Sequence, residues 1–179
     1  MSLTVLVGGA RSGKSALAVA FAERHDGDVT FLATAGAGDE EMAARIARHR
    51  SERPAGWTTV EEPLALEAAI AAVDPSACLV VDCLSLWAAN LLAVADAQAV
   101  ERAAAAAATA AARRRGPTVA VTNEVGLGVV PASALGRVYR DVLGRVNAVW
   151  ADSARESYFV VAGRVLPLHP AATVLDRER

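Results

Sequence analysis

The chain has 179 residues, with 18 basic and 20 acidic side chains and a formal net charge of −2. This length suits one domain, residues 1–179, and the balanced charge disfavours a strongly basic nucleic-acid binder. Although 54% of the residues are hydrophobic, the longest apolar runs, residues 84–95 and 103–112, are shorter than the ~20 residues needed to span a bilayer. We therefore expect no membrane span.

The N-terminus shows neither the basic region nor the cleavage site of a signal peptide. The two cysteines, Cys78 and Cys83, do not form a CxxC pair. A reducing compartment is the simplest interpretation of this cysteine usage. The sequence therefore predicts a cytoplasmic protein.

Apolar runs rich in β-forming residues predict strands, and apolar residues at helical spacing predict helices. The predicted strands are residues 3–7, 29–34, a short strand within 54–62, 77–81, 118–122, 158–162 and 165–168. The predicted helices are residues 15–24, 39–50, 63–73, two within 84–115 that separate near residue 95, and 133–155. Because strands and helices alternate, and the strands are continuous apolar runs, we expect an α/β fold. Its central sheet is mostly parallel with helices on both faces, and the tail after about residue 168 is expected to be flexible.

The first predicted strand leads into a glycine-rich loop that fits the pattern G-x-x-x-x-G-K-[ST]. The loop consists of Gly8, Gly9, Ala10, Arg11, Ser12, Gly13, Lys14 and Ser15. In this pattern the backbone N–H groups point at phosphate oxygens, the lysine reaches the β- and γ-phosphates, and the serine hydroxyl binds Mg²⁺. Lys14 is the only lysine among the 18 basic residues. The alternative is a strand–helix turn without a ligand.

A second metal-binding group is expected at the end of a neighbouring strand. Asp82 directly follows the apolar run that ends at residue 81. Asp82 is the candidate acid, although the same residue could instead cap the following helix. Together, Lys14, Ser15 and Asp82 imply a nucleoside triphosphate bound with Mg²⁺.

His49 lies on the apolar face of the predicted helix at residues 39–50, three residues after Ile46. One interpretation is a histidine of the core. The neighbouring arginines, Arg50 and Arg53 among them, favour a second interpretation, since arginine pairs with phosphates and an imidazole beside a phosphate can act as a nucleophile. The arginines could also form a solvated, ion-paired face.

Polar residues also follow the predicted strand at residues 118–122. Asn123 and Glu124 come directly after this strand, and ligands of parallel sheets bind outside the carboxyl ends of the strands. A simple turn is the alternative. The last long helix carries the polar residues Arg140, Asp141, Arg145 and Asn147. The alternative to a site role is that Asp141 and Arg145, four residues apart, simply pair.

The set of motifs resembles the bifunctional adenosylcobinamide kinase and adenosylcobinamide-phosphate guanylyltransferase family of cobalamin biosynthesis. The matching stretches are residues 8–15, 39–49, 53–57, 122–126 with 130–131, and 139–147. The phosphate-binding loop alone occurs in many families. The segments R-I-x-x-H with R-P-x-x-W, T-N-E-V-G and R-D-x-x-G-R-x-N are far more specific.

The resemblance implies two reactions. ATP or GTP phosphorylates the aminopropanol hydroxyl of adenosylcobinamide, and GTP then donates GMP through a histidine to adenosylcobinamide phosphate. It also implies a RecA-like P-loop fold, Mg²⁺, a corrinoid substrate and a homotrimer. The implied catalytic residues are His49 and Lys14, and the implied nucleotide-binding residues beyond the loop are Thr34, Arg50, Arg53, Glu61 and Asp82.

The chain departs from the family pattern at two of these positions. Arg48 precedes His49 where some relatives have a second histidine, and Asp82 stands where others have glutamate. Two further functional hypotheses remain at this point. One is a P-loop small-molecule kinase without guanylyltransferase activity, in which His49 is structural, and the other is a non-catalytic nucleotide switch.

Overall fold

The computed structural model describes residues 3–35, 54 and 56–175. Its centre is a seven-stranded sheet. The strands are β1 (Leu3–Gly8), β2 (Val29–Ala33), β3 (Thr58–Glu61), β4 (Cys78–Asp82), β5 (Thr118–Asn123), β6 (Glu156–Val161) and β7 (Arg164–Leu168). The predicted helix at residues 39–50 lies outside the described residues.

The strands are arranged in the order β3-β2-β4-β5-β1-β6-β7. All neighbouring pairs are parallel except β6 and β7, which are antiparallel. β1, which leads into the glycine-rich loop, therefore lies between β5 and β6. This order confirms the mostly parallel sheet and brings the carboxyl ends of six strands to one edge.

Helices cover both faces of the sheet, as the sequence predicted. They are α1 (Lys14–Ala22), α2 (Leu66–Ala72), α3 (Leu84–Leu92), α4 (Ala97–Arg113), α5 (Ala134–Ser153) and α6 (Ala172–Leu175). Alternate side chains of β4 point to opposite faces of the sheet. Cys78 and Val80 belong to the core cluster between the sheet and α1, whereas Leu79 and Val81 belong to the core cluster between the sheet and α2–α5. None of the helices in the described part of the chain combines the length and apolar character needed to cross a membrane.

The alanine-rich segment forms most of α4. Its residues Ala104, Ala107, Ala108 and Ala111 are buried in the larger core cluster. Alanine has the highest helix propensity and a small side chain, so this helix can lie close to its neighbours α2 and α5. The alanines of this segment, which contribute to the high hydrophobic fraction of the chain, thus belong to a helix that covers the core.

The helix predicted at residues 63–73 begins later in the structure, at Leu66. The Glu62 carboxylate accepts hydrogen bonds from the N–H groups of Leu64 and Ala65, at 2.8 Å each. These bonds satisfy the backbone in a turn, so the proline at residue 63 lies in that turn before the helix.

The last two strands form a tight hairpin that the sequence analysis did not predict. Its two connecting residues, Ala162 and Gly163, have φ angles of 51° and 69°. Positive φ at both positions is typical of the two-residue turns that match the twist of antiparallel strands. The structure also contains the short helix α6 after residue 168, and the expected flexibility of the tail stays a prediction.

The side chain of Arg114 joins three elements in the interior. Its guanidinium donates hydrogen bonds to four backbone carbonyls, those of Ile70 (3.3 Å), Val73 (3.1 Å), Asp74 (2.8 Å) and Ala77 (2.8 Å). The carbonyls lie at the end of α2 and just before β4, and α4 ends at the residue before Arg114. Arg114 is therefore a buried staple, flanked by the exposed residues Arg113 and Arg115.

Replacing Arg114 by methionine is expected to lower the free energy of unfolding by about 3 kcal/mol, because buried carbonyls lose their donor. Urea denaturation followed by circular dichroism measures the change. The matched control is Arg115→Met, which removes the same charge at an exposed position and should shift stability by less than about 0.5 kcal/mol. Equal effects of the two substitutions would contradict the staple.

Candidate nucleotide-binding site

The glycine-rich loop connects the carboxyl end of β1 to the first residue of α1. β1 ends at Gly8 and α1 begins at Lys14, which is the strand–loop–helix context that the sequence predicted. Gly13 precedes the helix with a φ of 101°, a left-handed conformation that favours glycine. The loop therefore opens onto a helix N-terminus, where unpaired N–H groups attract anions.

The Lys14 side chain curls back over this loop. It is only 6% exposed. Its ammonium donates a hydrogen bond of 2.7 Å to the Gly9 carbonyl, and its Nζ lies 3.4 Å from the Ser12 hydroxyl. The charge of the only lysine in the chain is thus held within the loop, where the pattern requires it.

Elements on both sides hold the loop in place. The Glu124 N–H donates to the Gly8 carbonyl (3.0 Å), and the Gly163 N–H donates to the Ser12 carbonyl (2.9 Å). A Cβ atom on Gly8 would lie 2.1 Å from the Val160 carbonyl oxygen of β6. The end of β5 and the β6–β7 turn therefore flank the loop closely. The contact between Gly163 and the loop has no signal in the sequence, although an Ala-Gly pair between two apolar runs could have suggested the turn itself.

Three acidic or polar candidates lie at the same edge of the sheet. Ala33, at the end of β2, is in register with Asp82 on one side and with Glu61 on the other. The Thr34 N–H donates to the Asp82 carbonyl (3.1 Å). The structure therefore brings Thr34, Glu61 and Asp82 together at the carboxyl ends of β2, β3 and β4.

Thr34 itself is fully buried, and its hydroxyl bonds to the backbone of Cys83. The hydroxyl donates to the Cys83 carbonyl (2.6 Å) and accepts from the Cys83 N–H (2.9 Å). The Thr34 carbonyl accepts a hydrogen bond from the Asn90 amide (2.8 Å). The observed role of the Thr34 side chain is thus to tie the end of β2 to the residue after Asp82.

A polar network continues from Cys83 across the edge to β5. Cys83 Sγ and Ser85 Oγ lie 3.0 Å apart, and the Asn123 amide donates to Ser85 Oγ (3.1 Å). The Tyr139 hydroxyl donates to the Ser85 carbonyl (3.1 Å). Asn123 was expected from the sequence to face a site, whereas no sequence pattern indicated that Ser85 would take part in this network.

Burial keeps the titratable groups of this network neutral. Burial, and next the negative charge of Asp82, raises the pKa of the Cys83 thiol. Burial also raises the pKa of Tyr139 to about 12. At neutral pH both side chains are therefore protonated and act as fixed hydrogen-bonding groups.

Three predicted site residues, His49, Arg50 and Arg53, lie outside the described residues. The last residue of the R-P-x-x-W segment, Trp57, is described and lines a cavity of about 480 Å³. Val29, the first residue of β2, and Glu23, which follows α1, line the same cavity. Trp57 therefore lies at the amino end of β2, opposite the edge that carries the glycine-rich loop.

A second cavity, of about 420 Å³, lies between α5 and the segment after β5. It is lined by Gly126, Arg140, Asp141, Gly144, Arg145 and Ala148. The alternative that Asp141 pairs with Arg145 is wrong, because Asp141 pairs with Arg140 (2.7 Å) and Arg145 pairs with Glu101 of α4. The carboxylate that pairs with Arg145 therefore comes from α4, and not from α5 as the spacing of the sequence predicted.

Comparisons with known proteins agree on one family. Residues 4–168 match the family model described as cobinamide kinase / cobinamide phosphate guanyltransferase. The bifunctional adenosylcobalamin biosynthesis protein CobP of Pseudomonas aeruginosa is 44% identical over 165 residues, which cover 92% of this chain and 95% of that protein. The bifunctional adenosylcobalamin biosynthesis proteins CobU of Escherichia coli and of Salmonella typhimurium are 41% and 39% identical, each alignment covering 90% of this chain and 96% of the relative.

Proposed function

This chain belongs to the cobinamide kinase / cobinamide phosphate guanyltransferase family, and on that premise we propose that it catalyses both of the reactions named in that description. In the first, ATP or GTP phosphorylates the aminopropanol hydroxyl of adenosylcobinamide. In the second, GMP passes from GTP to adenosylcobinamide phosphate and yields adenosylcobinamide-GDP and pyrophosphate. The observation that carries the proposal is the glycine-rich loop, with Lys14 folded inside it, at the sheet edge where β4 ends in Asp82.

In the kinase step, the substrate hydroxyl oxygen forms a bond to the γ-phosphorus, and the bond from that phosphorus to the β–γ bridging oxygen breaks. The hydroxyl proton leaves to solvent and the nucleoside diphosphate departs. The backbone N–H groups of residues 8–15 cradle the phosphates, and Lys14 neutralises charge that develops on them. Because this chemistry depends mainly on positioning and electrostatics, the backbone hydrogen bonds that hold the loop to Glu124 and Gly163 support it.

The Ser15 hydroxyl and the Asp82 carboxylate are oxygen donors of the kind that Mg²⁺ prefers. No cluster of three or more His, Cys, Asp or Glu side chains suited to a metal occurs among the residues that the structure describes. Mg²⁺ in nucleotide sites is held by one or two protein oxygens together with substrate phosphates. In this proposal Ser15 and Asp82 supply the protein oxygens, and the ion neutralises phosphate charge when it is bound.

For the guanylyl transfer, His49 is the proposed nucleophile. Its ring nitrogen forms a bond to the α-phosphorus of GTP as the bond to the α–β bridging oxygen breaks, and pyrophosphate leaves. A phosphate oxygen of adenosylcobinamide phosphate then takes the GMP group and frees the histidine. Arg50 and Arg53 would hold phosphates, while Thr34 and Glu61 would contribute to the nucleotide site from the ends of β2 and β3.

The proposed enzyme is a cytoplasmic homo-oligomer, by resemblance a trimer. Buried, free thiols at Cys78 and Cys83 support a reducing compartment. Exposed apolar side chains after β5, including Leu127 (80% exposed) and Val129 (96% exposed), support a contact with a second copy of the chain. Light scattering that gave the mass of a single chain would overturn the oligomer.

A two-stage assay tests the function. The purified protein is incubated with adenosylcobinamide, ATP and Mg²⁺, then with GTP, and the corrinoid products are identified by mass spectrometry. We expect the phosphate ester first and adenosylcobinamide-GDP with pyrophosphate second. A reaction that stops at the phosphate ester would support the kinase-only hypothesis. Slow nucleotide hydrolysis without either corrinoid product would support the nucleotide switch.

A further inference from the structure

The side-chain amide of Asn147 joins α5 to the carboxyl end of β5. Its Oδ1 accepts a hydrogen bond from the Thr122 hydroxyl (2.6 Å), and its Nδ2 donates to the Asn123 carbonyl (3.0 Å). Asn147 is 7% exposed and Thr122 is fully buried. One amide of the neighbouring helix therefore holds the last two residues of β5.

The strand end that Asn147 holds is in direct contact with the glycine-rich loop. The residue after Asn123 is Glu124, whose N–H donates to the carbonyl of Gly8, the first residue of the loop (3.0 Å). The Asn123 side chain itself donates to Ser85 at the start of α3 (3.1 Å). Asn147 is thus linked through Asn123 to two parts of the site, to the loop by way of Glu124 and to the first turn of α3, which follows Asp82 and Cys83, by way of Ser85.

The helix that carries Asn147 is firmly anchored. Its residues Val142, Leu143, Val146 and Trp150 are fully buried in the larger core cluster. A well-packed interior transmits displacement because it has little room to relax. The position of α5 therefore sets the position of the strand end through two hydrogen bonds, one of them buried and the other partly buried.

We propose that Asn147 is a positioning residue for nucleotide binding: it holds residues 122–124 so that Glu124 keeps the glycine-rich loop in its phosphate-binding shape. The inference rests on the proposed function, since it assumes that this loop binds a nucleoside triphosphate. Asn147 acts in this proposal through Asn123 and Glu124. Asn147 is the last residue of the R-D-x-x-G-R-x-N segment, so the proposal explains why that segment ends in an asparagine.

The test compares Asn147→Leu with Val146→Ala. Leucine keeps the approximate volume of asparagine and removes both hydrogen bonds, whereas Val146→Ala disturbs the core at the adjacent position and leaves the amide in place. Nucleotide affinity is measured by calorimetry with Mg²⁺ and adenylyl methylenediphosphonate, at a temperature where circular dichroism shows every variant folded. We expect affinity to fall by up to about a hundredfold in Asn147→Leu and to stay within about twofold in Val146→Ala.

Two substitutions of Thr122 and a kinetic measurement separate positioning from general structural damage. Thr122→Val removes the hydroxyl that donates to Asn147 and should weaken nucleotide binding, while Thr122→Ser keeps that hydroxyl and should preserve it. In Asn147→Leu the KM for the nucleotide should rise while the KM for the corrinoid stays constant. Equal nucleotide affinity of the folded Asn147→Leu variant and the wild type would overturn the inference. Failure of the wild type to bind any nucleotide would instead overturn the proposed function.

Discussion

Replacing Lys14 by arginine is expected to lower kcat/KM of the kinase reaction by at least about a hundredfold while the fold stays intact. The substitution keeps the positive charge and changes only its shape. In the structure the ammonium fits inside the loop, 2.7 Å from the Gly9 carbonyl, with the side chain 6% exposed. A guanidinium is planar and larger, and it cannot take the place of a compact ammonium among the phosphates.

Initial rates with ATP, Mg²⁺ and adenosylcobinamide measure this effect. Circular dichroism and the melting temperature show whether the variant is folded. The matched control is Arg102→Lys, an exchange of the same two residue types at an exposed position of α4, which should leave the rate unchanged. Near-normal turnover of Lys14→Arg would mean that the single lysine of the chain has no special role in the loop.

Replacing His49 by alanine is expected to abolish a covalent GMP adduct that the wild-type protein forms with GTP and Mg²⁺. The proposed adduct is a phosphoramidate, in which the imidazole nitrogen is bonded to the α-phosphorus. Because the kinase reaction needs no such intermediate, the variant should still phosphorylate adenosylcobinamide. Loss of the second activity with retention of the first would separate the two reactions within one chain.

Intact-mass measurement after incubation with GTP detects the adduct, and brief acid treatment should remove it. The chain offers two matched controls, because it contains three histidines in all, His25, His49 and His169. His25→Ala and His169→Ala should both retain the adduct. An adduct that persists in His49→Ala would show that a different residue is the nucleophile.

The parts of the fold that depend on local pattern could be predicted from the sequence. Solid apolar runs indicated the buried strands, and G-x-x-x-x-G-K-[ST] between a strand and a helix indicated the loop before its geometry was known. Contacts between distant segments could not be predicted in this way. The hydrogen bond from Gly163 to Ser12 joins residues that are remote in sequence, and neither residue type signals its partner.

The spacing of apolar residues also predicts which face of a helix is apolar, but it does not show how much of that face is buried. Leu135 and Val138 share the apolar spacing of Val142 and Val146 on α5. Only the latter two are buried in the core, while Leu135 is 70% exposed and Val138 is 43% exposed. The first part of the helix extends beyond the core cluster that covers Val142 and Val146, and the sequence contains no signal for where that cover ends.

Among the candidate site residues, the sequence identified residue types better than it identified their roles. Asp82 was expected at a strand end and Glu61 was implied by the family resemblance, and the register of β2 with β3 and β4 brings both residues to one edge. Thr34 reached the same edge, but its hydroxyl bonds to the Cys83 backbone. The role of such a hydroxyl depends on which backbone groups lie within hydrogen-bond distance of it. Those groups are known only once the pairing of the strands is known.

The placement of β1 in the sheet has a consequence for synthesis of the chain on the ribosome. β1 is made before the other strands, yet its two neighbours are β5 and β6, which begin only at residues 118 and 156. β2, β3 and β4 can pair with one another before the two neighbours of β1 have been made. The contacts of β1 join residues that are far apart in the sequence, so its pairing has a high contact order. A nascent chain that ends before residue 163 would contain the entire G-x-x-x-x-G-K-S motif but lack one of the two backbone contacts that flank it.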